Sequence, residues 1–341
     1  MMKEAKKQVL KRTEGVMELM AALAFLQMAL GLCLVVPIPV SSSSLSTDFY
    51  DKSCPGMEEK ISHVIWDKMR AGQNITAPST LRLFFHDCFV QGCDGSVLIS
   101  STESNKSERD ADINLSLAGD SFDAVLRAKK ILEEMCPGVV SCADILAVLA
   151  RDSSVAMNGP TWGVLKGRRD SRISHAALAR AELPTSSANL TQLIAGFASK
   201  GLTPLDLVAL SGAHTAGSAH CTEFMERLRR KDPTMDPGFR ESLLASCPLS
   251  LKDMEVVVTF DGTPFVFDNL YYKTLKQRKA LLTSDQTLLS GGGSIRKAVS
   301  RYARNQTLFF QEFAAAMQKF GSVGVLTGAQ GEVRKDCTKI N

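Results

Sequence analysis

One short stretch, Arg82-Leu-Phe-Phe-His86, combines a permanent cation with a titratable base. Arg82 and His86 are four positions apart, so on a helix they share one face. Phe84 and Phe85 make their surroundings apolar. A histidine beside an arginine in a poorly solvated pocket suits proton transfer coupled to charge separation. The alternative is a surface arginine with a satisfied histidine, and this stretch alone does not choose between them.

The segment that follows is rich in oxygen donors at short, alternating spacing. Carboxylates, backbone carbonyls and a hydroxyl are the ligands that a hard cation such as calcium prefers. The segment therefore predicts a calcium site, with an ordinary acidic turn as the alternative. Its candidate ligands are Asp87, Val90, Gly92, Asp94 and Ser96.

A second histidine, His214, lies in the stretch Ser211-Gly-Ala-His214-Thr215. A single histidine in an apolar stretch is more often a core residue than a ligand, so the stretch alone assigns it no role. The chain contains no G-x-G-x-x-G or P-loop pattern, and a nucleotide-dependent enzyme is therefore not expected.

The elements that must position these residues are predicted to be mostly helices. Apolar residues recur at helical spacing over 122–135, and 142–150 is apolar enough for a buried core helix. Residues 205–210 and 309–320 also predict helices. Strand-like runs are few and short, such as 256–260. The fold class expected is therefore mainly α.

Length and composition exclude several classes of protein. The chain has 341 residues, of which 45% are hydrophobic and 22% charged, close to the average for globular proteins. A disordered, collagen-like or coiled-coil protein is therefore excluded. The net charge is only +4, and the basic residues do not cluster as a nucleic-acid-binding surface requires, so no nucleic-acid partner is expected.

The N-terminus has the pattern of a secretory signal. Basic residues precede a long apolar run over 19–40, which contains Pro37 and Pro39 and is followed by the serines at 41–44. We expect a signal peptide at 1–43 and a single domain at 44–341. An uncleaved membrane anchor is the alternative, because the run is long enough to cross a bilayer.

Secretion changes the interpretation of the cysteines. Cys33 lies in the apolar run, and the other eight suggest four disulfides in an oxidising compartment. Only Cys88 and Cys93 are close enough in sequence to suggest a local bridge. Sequons for N-glycosylation agree with a secreted chain. They begin at Asn74, Asn105, Asn114, Asn189 and Asn305.

Taken together, these segments resemble the plant class III secretory haem peroxidases. The resemblance covers nearly all of 44–341 and implies a mainly helical fold, with haem b between a distal and a proximal half and few short strands. The motifs that carry it are RLFFHDCFVQGCDGSVLI from Arg82, CPGVVSCADILAVLARD from Cys136, GRRDS from Gly167, DLVALSGAHTAG from Asp206, FDNLYY from Phe267, SDQTLL from Ser284 and GEVRKDC from Gly331.

The resemblance assigns roles to the polar residues. His214 matches the axial ligand of the haem iron, and Asp285 matches the carboxylate that accepts the other ring N–H of that histidine. On the distal side, His86 would move the proton of hydrogen peroxide and Arg82 would stabilise the charge on its departing oxygen. Asn114 matches the side chain that hydrogen-bonds His86, which implies that its sequon stays unglycosylated.

The resemblance also implies two calcium ions and a disulfide pattern. The distal calcium would use the five ligands named above. The proximal calcium would use Thr215, Asp261, Thr263, Val266 and Asp268, although the loop between Asp261 and Thr263 is one residue shorter than in the family. Arg168 is implied as the partner of Asp144 in the apolar run 142–150. The implied disulfides are Cys54–Cys136, Cys88–Cys93, Cys142–Cys337 and Cys221–Cys247.

The expected substrates are hydrogen peroxide and small phenolic donors. Pro184 matches the proline beside which such phenols bind, but Ser186, Ala216 and Glu223 differ from the family. This smaller and more acidic rim is expected to disfavour anionic aromatic acids. Physiological roles in the family include lignin and suberin formation, wall cross-linking, defence and auxin breakdown.

The expected location is the extracellular space, because only four residues follow Cys337 and they carry no vacuolar extension. We expect a monomer that associates with the cell wall. The rival interpretation is a catalytically silent wall-binding protein on the same fold. That rival predicts loss of Arg82, His86 or His214, and all three are present.

Overall fold

The computed structural model of the protein describes residues 45–250 and 255–341. The expected signal peptide at 1–43, and with it the alternative of a membrane anchor, lies outside the described residues. Within them the chain forms thirteen α-helices. They are α1 Met57–Arg70, α2 Thr76–Cys88, α3 Gly119–Met135, α4 Cys142–Ala156, α5 Ala176–Glu182, α6 Leu190–Ser199, α7 Pro204–Ser211, α8 Met225–Arg229, α9 Pro237–Ser246, α10 Leu270–Lys276, α11 Thr283–Gln286, α12 Gly293–Arg304 and α13 Gln306–Phe320.

The described residues contain one small sheet, formed by β1 Ser218–His220 and β2 Val257–Thr259. The strands are antiparallel, with Ala219 opposite Val258. The expectation of a mainly α fold with few short strands is confirmed.

No single helix in the described ranges is long and apolar enough to cross a membrane. One pair of helical segments, Leu190–Ser199 and Pro204–Thr215, is long and apolar enough only when the two are taken together, and the chain bends by 106° between them.

Local sequence signals explain where the central helices begin. The Ser141 side chain accepts a hydrogen bond from the Asp144 backbone N–H at 3.1 Å, which caps α4. Thr203 and Asp206 form a capping box at the start of α7, and Pro204 occupies its first turn. These caps satisfy backbone donors that would otherwise lack partners, so α4 and α7 begin at defined residues.

The helix that carries Arg82 and His86 lies at the centre of the distal half. Helix α2 packs chiefly against α4, and also against α3 and α1. On the proximal side, α13 and α12 pack against α7, which leads directly into the segment that carries His214. Each histidine is therefore held on or next to an element that is packed into the core.

The buried ion pair expected in α4 is present. Arg168 Nη1 donates to Asp144 Oδ1 at 2.7 Å, and both side chains are almost fully buried. The same carboxylate accepts from the Tyr50 hydroxyl at 2.8 Å and from the Gly167 N–H at 2.7 Å. Removing one member of such a pair typically costs about 3–5 kcal/mol, because the other charge stays buried without compensation.

Four disulfides join the eight cysteines of the described residues, in the pairs that the resemblance implies: Cys54–Cys136, Cys88–Cys93, Cys142–Cys337 and Cys221–Cys247. The bridge from Cys142 to Cys337 spans 195 residues and ties the start of α4 to the C-terminal segment. Chain-entropy arithmetic gives an upper figure of about 5 kcal/mol for closing such a loop.

Candidate active site

The distal histidine is held through one ring nitrogen. His86 Nδ1 lies 2.6 Å from Asn114 Oδ1, and both side chains are buried. The Asn114 amide nitrogen donates to the Glu108 carbonyl at 2.8 Å, so its oxygen must face the histidine. Because that oxygen can only accept, Nδ1 of His86 carries the proton and Nε2 keeps a lone pair.

Burial and charge keep this histidine neutral. Burial lowers the pKa of His86 to about 3, and the nearby Arg82 charge acts in the same direction. Burial also lowers the pKa of Arg82, opposed by the negative charge of Glu223, but a guanidinium stays protonated in proteins. Arg82 donates to the Ser116 carbonyl and hydroxyl at 2.8 and 2.9 Å. His86 is therefore a base next to a fixed cation, as the i, i+4 spacing predicts.

The proximal histidine is held in a similar way by a carboxylate. His214 lies in a 3-10 turn, Gly212–Thr215, directly after α7. Its Nδ1 is 2.8 Å from Asp285 Oδ1, and its ring stacks on Phe260 with centroids 4.5 Å apart and an angle of 4° between the planes. The carboxylate is buried, whereas 39% of the His214 side chain is exposed.

The two histidines form the donor set that a haem site requires. Among the described residues, Nδ1 is the only ring nitrogen of His86 or His214 that has a hydrogen-bond partner. The rings are close enough for His214 to influence the pKa of His86. The free Nε2 of His214, whose Nδ1 is bonded to a buried carboxylate, suits an iron ligand, and the free Nε2 of His86, whose Nδ1 is bonded to a neutral amide, suits a base. These residues therefore fit a haem group between the two halves.

The predicted distal calcium loop folds around its own carboxylates. Asp87 Oδ2 accepts from the Gly95 N–H at 3.0 Å, and Asp94 Oδ1 accepts from the Ser96 N–H at 3.1 Å. Gly95 has a positive φ of 69°, and a Cβ there would lie 2.7 Å from Arg334 Nη2. This glycine therefore allows the loop to close against the C-terminal segment.

The distal loop concentrates buried acids. Burial raises the pKa of Asp87 well above its usual range, and the Asp94 charge adds to that effect. Burial also raises the pKa of Asp94 to about 6 and that of Glu108 to about 9. No three His, Cys, Asp or Glu side chains in the described ranges group closely enough to hold a metal ion. A cation here would therefore need the backbone carbonyls, such as that of Val90, and the Ser96 hydroxyl.

The structure also brings the proximal candidates together despite the shortened loop. The Thr215 hydroxyl lies 2.8 Å from Asp261 Oδ2 and 3.1 Å from Asp268 Oδ1. The Thr263 hydroxyl lies 3.0 and 3.1 Å from the other oxygens of the same two carboxylates. The Val266 N–H donates to the Thr263 carbonyl at 2.9 Å, so its backbone belongs to the same turn.

Comparison with known proteins identifies the family. A family model described as "Peroxidase" matches residues 61–305. The chain belongs to the peroxidase family. It is 45% identical to Peroxidase 55 of Arabidopsis thaliana over 92% of this chain and 95% of that protein. It is 46% identical to Peroxidase 31 of the same plant, over 88% and 95% of the two chains.

These matches confirm the resemblance to plant class III peroxidases. The chain is thus a haem-dependent peroxidase, whose substrates are hydrogen peroxide and a reducing donor.

Two residues expected at the substrate entrance, Pro184 and Glu223, are not buried, and Glu223 supplies the acidic side chain that the sequence predicts there. Pro184 is half-buried. Two residues later, the Ser186 carbonyl accepts at 3.0 Å from the N–H of Ser284, the residue before Asp285. Glu223 is exposed at the end of the 3-10 turn Cys221–Glu223, and its charge acts on Arg82. An acidic side chain therefore lies within electrostatic reach of the distal arginine.

One residue of the proximal side was not singled out from the sequence. The Tyr271 hydroxyl donates to Asp285 Oδ1 at 2.9 Å, and its buried ring packs edge-on to His214. The only sequence signal was the pair of tyrosines in the motif FDNLYY, and no spacing rule connects Tyr271 with Asp285.

Proposed function

We propose that the chain is a secreted peroxidase that oxidises small phenolic donors with hydrogen peroxide, with His214 as the axial ligand of haem b. The observation that carries this proposal is the pair of histidines, each with Nδ1 fixed and Nε2 free. Haem iron, when bound, supplies the centre that is oxidised by peroxide and reduced by the donor.

The distal residues supply the proton chemistry. His86 is neutral and its free nitrogen is an acceptor, so it can take a proton from one peroxide oxygen and return it to the other. Arg82 holds a fixed positive charge that stabilises the departing oxygen. Asn114 acts through His86, because its amide oxygen determines which ring nitrogen carries the proton.

The proximal residues hold the ligand. Asp285 accepts the N–H of His214, which fixes the ring orientation and makes its free nitrogen more basic. Phe260 stacks on the same ring and restricts its rotation.

Calcium ions at two sites complete the proposal. At the distal loop, two buried carboxylates with raised pKa values would be stabilised in their charged form by a divalent cation. At the proximal loop, four oxygen-bearing side chains meet within hydrogen-bonding distance. The proposed ligands are Asp87, Val90, Gly92, Asp94 and Ser96 on the distal side, and Thr215, Asp261, Thr263, Val266 and Asp268 on the proximal side.

Secretion to the cell wall is proposed from the apolar N-terminal pattern together with the disulfides, and the secreted form is proposed to be a monomer. Four bridges in the described residues suit an oxidising compartment. The sequon asparagines Asn74, Asn189 and Asn305 are exposed and suit glycan attachment. Asn114 is 1% exposed and bonded through both amide atoms, which suits an unglycosylated residue.

The test is the absorption spectrum of the purified, haem-loaded protein, followed by turnover of a panel of phenols with and without hydrogen peroxide. We expect a haem spectrum, peroxide-dependent oxidation of the phenols, and calcium in the metal analysis. Haem binding without any turnover would favour the silent wall-binding protein. A protein that binds no haem would contradict the proposed function altogether.

A further inference from the structure

The carboxylate beside His214 has a second hydrogen-bond donor. Asp285 Oδ1 accepts from His214 Nδ1 at 2.8 Å and from the Tyr271 hydroxyl at 2.9 Å. The other oxygen, Oδ2, is buried and has no hydrogen-bond partner in the described part of the chain. Histidine and phenol therefore share a single acceptor atom.

Packing fixes the phenol in this position. Tyr271 is only 3% exposed, and its ring lies edge-on to His214 with centroids 6.2 Å apart. The next residue, Tyr272, donates to the Val208 carbonyl of α7 at 2.8 Å. A Cβ at Gly212, in the turn that carries His214, would lie 2.3 Å from the Tyr272 hydroxyl. Helix α10, which carries both tyrosines, therefore packs closely against α7 and the turn that carries His214.

From this shared acceptor we propose that Tyr271 is a positioning residue that weakens the pull of Asp285 on His214. A hydroxyl that donates to Oδ1 draws electron density from the atom that accepts the histidine N–H. The carboxylate then accepts less strongly, and the free nitrogen of His214 is a weaker electron donor than it would be beside an unshared carboxylate. This inference rests on the proposed role of His214 as axial ligand.

The variant that tests it is Tyr271→Phe, which removes one oxygen and keeps the ring. Without the phenol, His214 should donate more electron density to iron. The oxidised form of the bound haem should then gain stability relative to its reduced form. We expect the reduction equilibrium constant of the bound haem to fall about tenfold, at the low end for residues that orient a ligand. For a one-electron couple that change equals 59 mV. The iron–histidine stretching frequency of the reduced protein should rise.

Tyr272→Phe is the matched control, because the two tyrosines are adjacent on α10 and both are buried. The Tyr272 hydroxyl bonds a backbone carbonyl instead of the carboxylate. Its loss should lower thermal stability and leave the potential and the stretching frequency unchanged. In an Asp285→Asn background, Tyr271→Phe should change the potential less than it does in the unmodified protein, because the shared carboxylate is gone.

Three outcomes separate the inferences. Equal potentials and frequencies in Tyr271→Phe and the unmodified protein would overturn the role of Tyr271 and leave the axial role of His214 intact. An equal shift in Tyr272→Phe would also overturn it, since general packing would then be the cause. A reduced unmodified protein without an iron–histidine band would contradict the axial role itself, and the Tyr271 proposal with it.

Discussion

The distal and proximal halves hold the same kind of side chain with different partners. His86 is held by the neutral amide of Asn114 at 2.6 Å, and His214 by the carboxylate of Asp285 at 2.8 Å. An amide orients an imidazole without adding charge, so His86 remains a weak base in an apolar pocket. A carboxylate orients the ring and increases its electron density. In the proposed function, the hydrogen-bond partner, more than the histidine itself, distinguishes the proton carrier His86 from the metal ligand His214.

The surroundings reinforce this difference. The distal ring faces the cation Arg82, which opposes its protonation. The proximal ring stacks on Phe260, which carries no charge, and its carboxylate is shared with Tyr271. Variants on the distal side should therefore change the reaction with peroxide, and variants on the proximal side should change haem binding. The sizes of these expected effects can be ranked.

The largest effect is expected from His214→Ala. In the proposed function this imidazole supplies both the bond to iron and the electron density that it donates, so stable haem binding or peroxidase turnover should be abolished. The spectrum and the activity of the reconstituted variant measure this. His63→Ala is the control, because that histidine is 57% exposed on α1. Normal turnover in the His214 variant would contradict the assignment of the proximal side.

A smaller but still large loss is expected from His86→Ala. General acid–base catalysis typically contributes about 10²- to 10⁴-fold, and the variant should slow the reaction with peroxide by a factor in that range. The reaction of the oxidised enzyme with phenol provides an internal control, because it should change far less. Arg82→Leu should act in the same direction and less severely. A loss under about tenfold for His86→Ala would remove it from the mechanism.

Local patterns in the sequence predicted the elements better than the partners. The spacing of Arg82 and His86 predicted that they share one helix face, and the apolar runs predicted α3, α4, α7 and α13. Asn114 is 28 residues from His86, and Asp285 is 71 residues from His214. Periodicity contains no information about such distant pairs. They were found through family resemblance alone.

Contacts that neither periodicity nor resemblance indicated appear only in the fold. The bond from Tyr271 to Asp285 depends on how α10 packs against the turn after α7. The effect of the Glu223 charge on the pKa of Arg82 depends on the position of the 3-10 turn that follows β1. The proximal loop shows the opposite case, in which a sequence difference did not separate the predicted residues. One missing residue put that site in doubt, yet Asp261 and Asp268 still meet through two threonine hydroxyls.

An intermediate effect is expected from Asn114→Val. The Nδ1 proton of His86 would lose its acceptor, so the ring could turn or change tautomer. Residues that orient a functional histidine typically contribute about 10- to 100-fold, and the rate constant for peroxide should fall by a factor in that range. Stopped-flow kinetics in a host that adds no glycans would measure it.

Asn105→Val is the matched control for that variant. Asn105 Oδ1 lies 2.6 Å from His175 Nδ1 outside the site, so the variant removes a chemically identical pair. Its rate constant for peroxide should equal that of the unmodified protein. If the two variants slowed the reaction equally, loss of stability would explain the effect, and Asn114 would have no specific role.

The smallest effect is expected from Glu223→Gln at the entrance. Glu223 is exposed, so its repulsion of a donor carboxylate is weakened by water and salt. We expect kcat/KM for an anionic phenolic acid, relative to its neutral ester, to rise about twofold to fivefold at low salt, consistent with roughly 1 kcal/mol between close charges in water. The gain should shrink at high salt. Glu226→Gln, which removes an equal charge from the exposed face of α8, is the control. An unchanged preference at low salt, or the same change in both variants, would show that the distinctive acid at this rim does not select the donor by its charge.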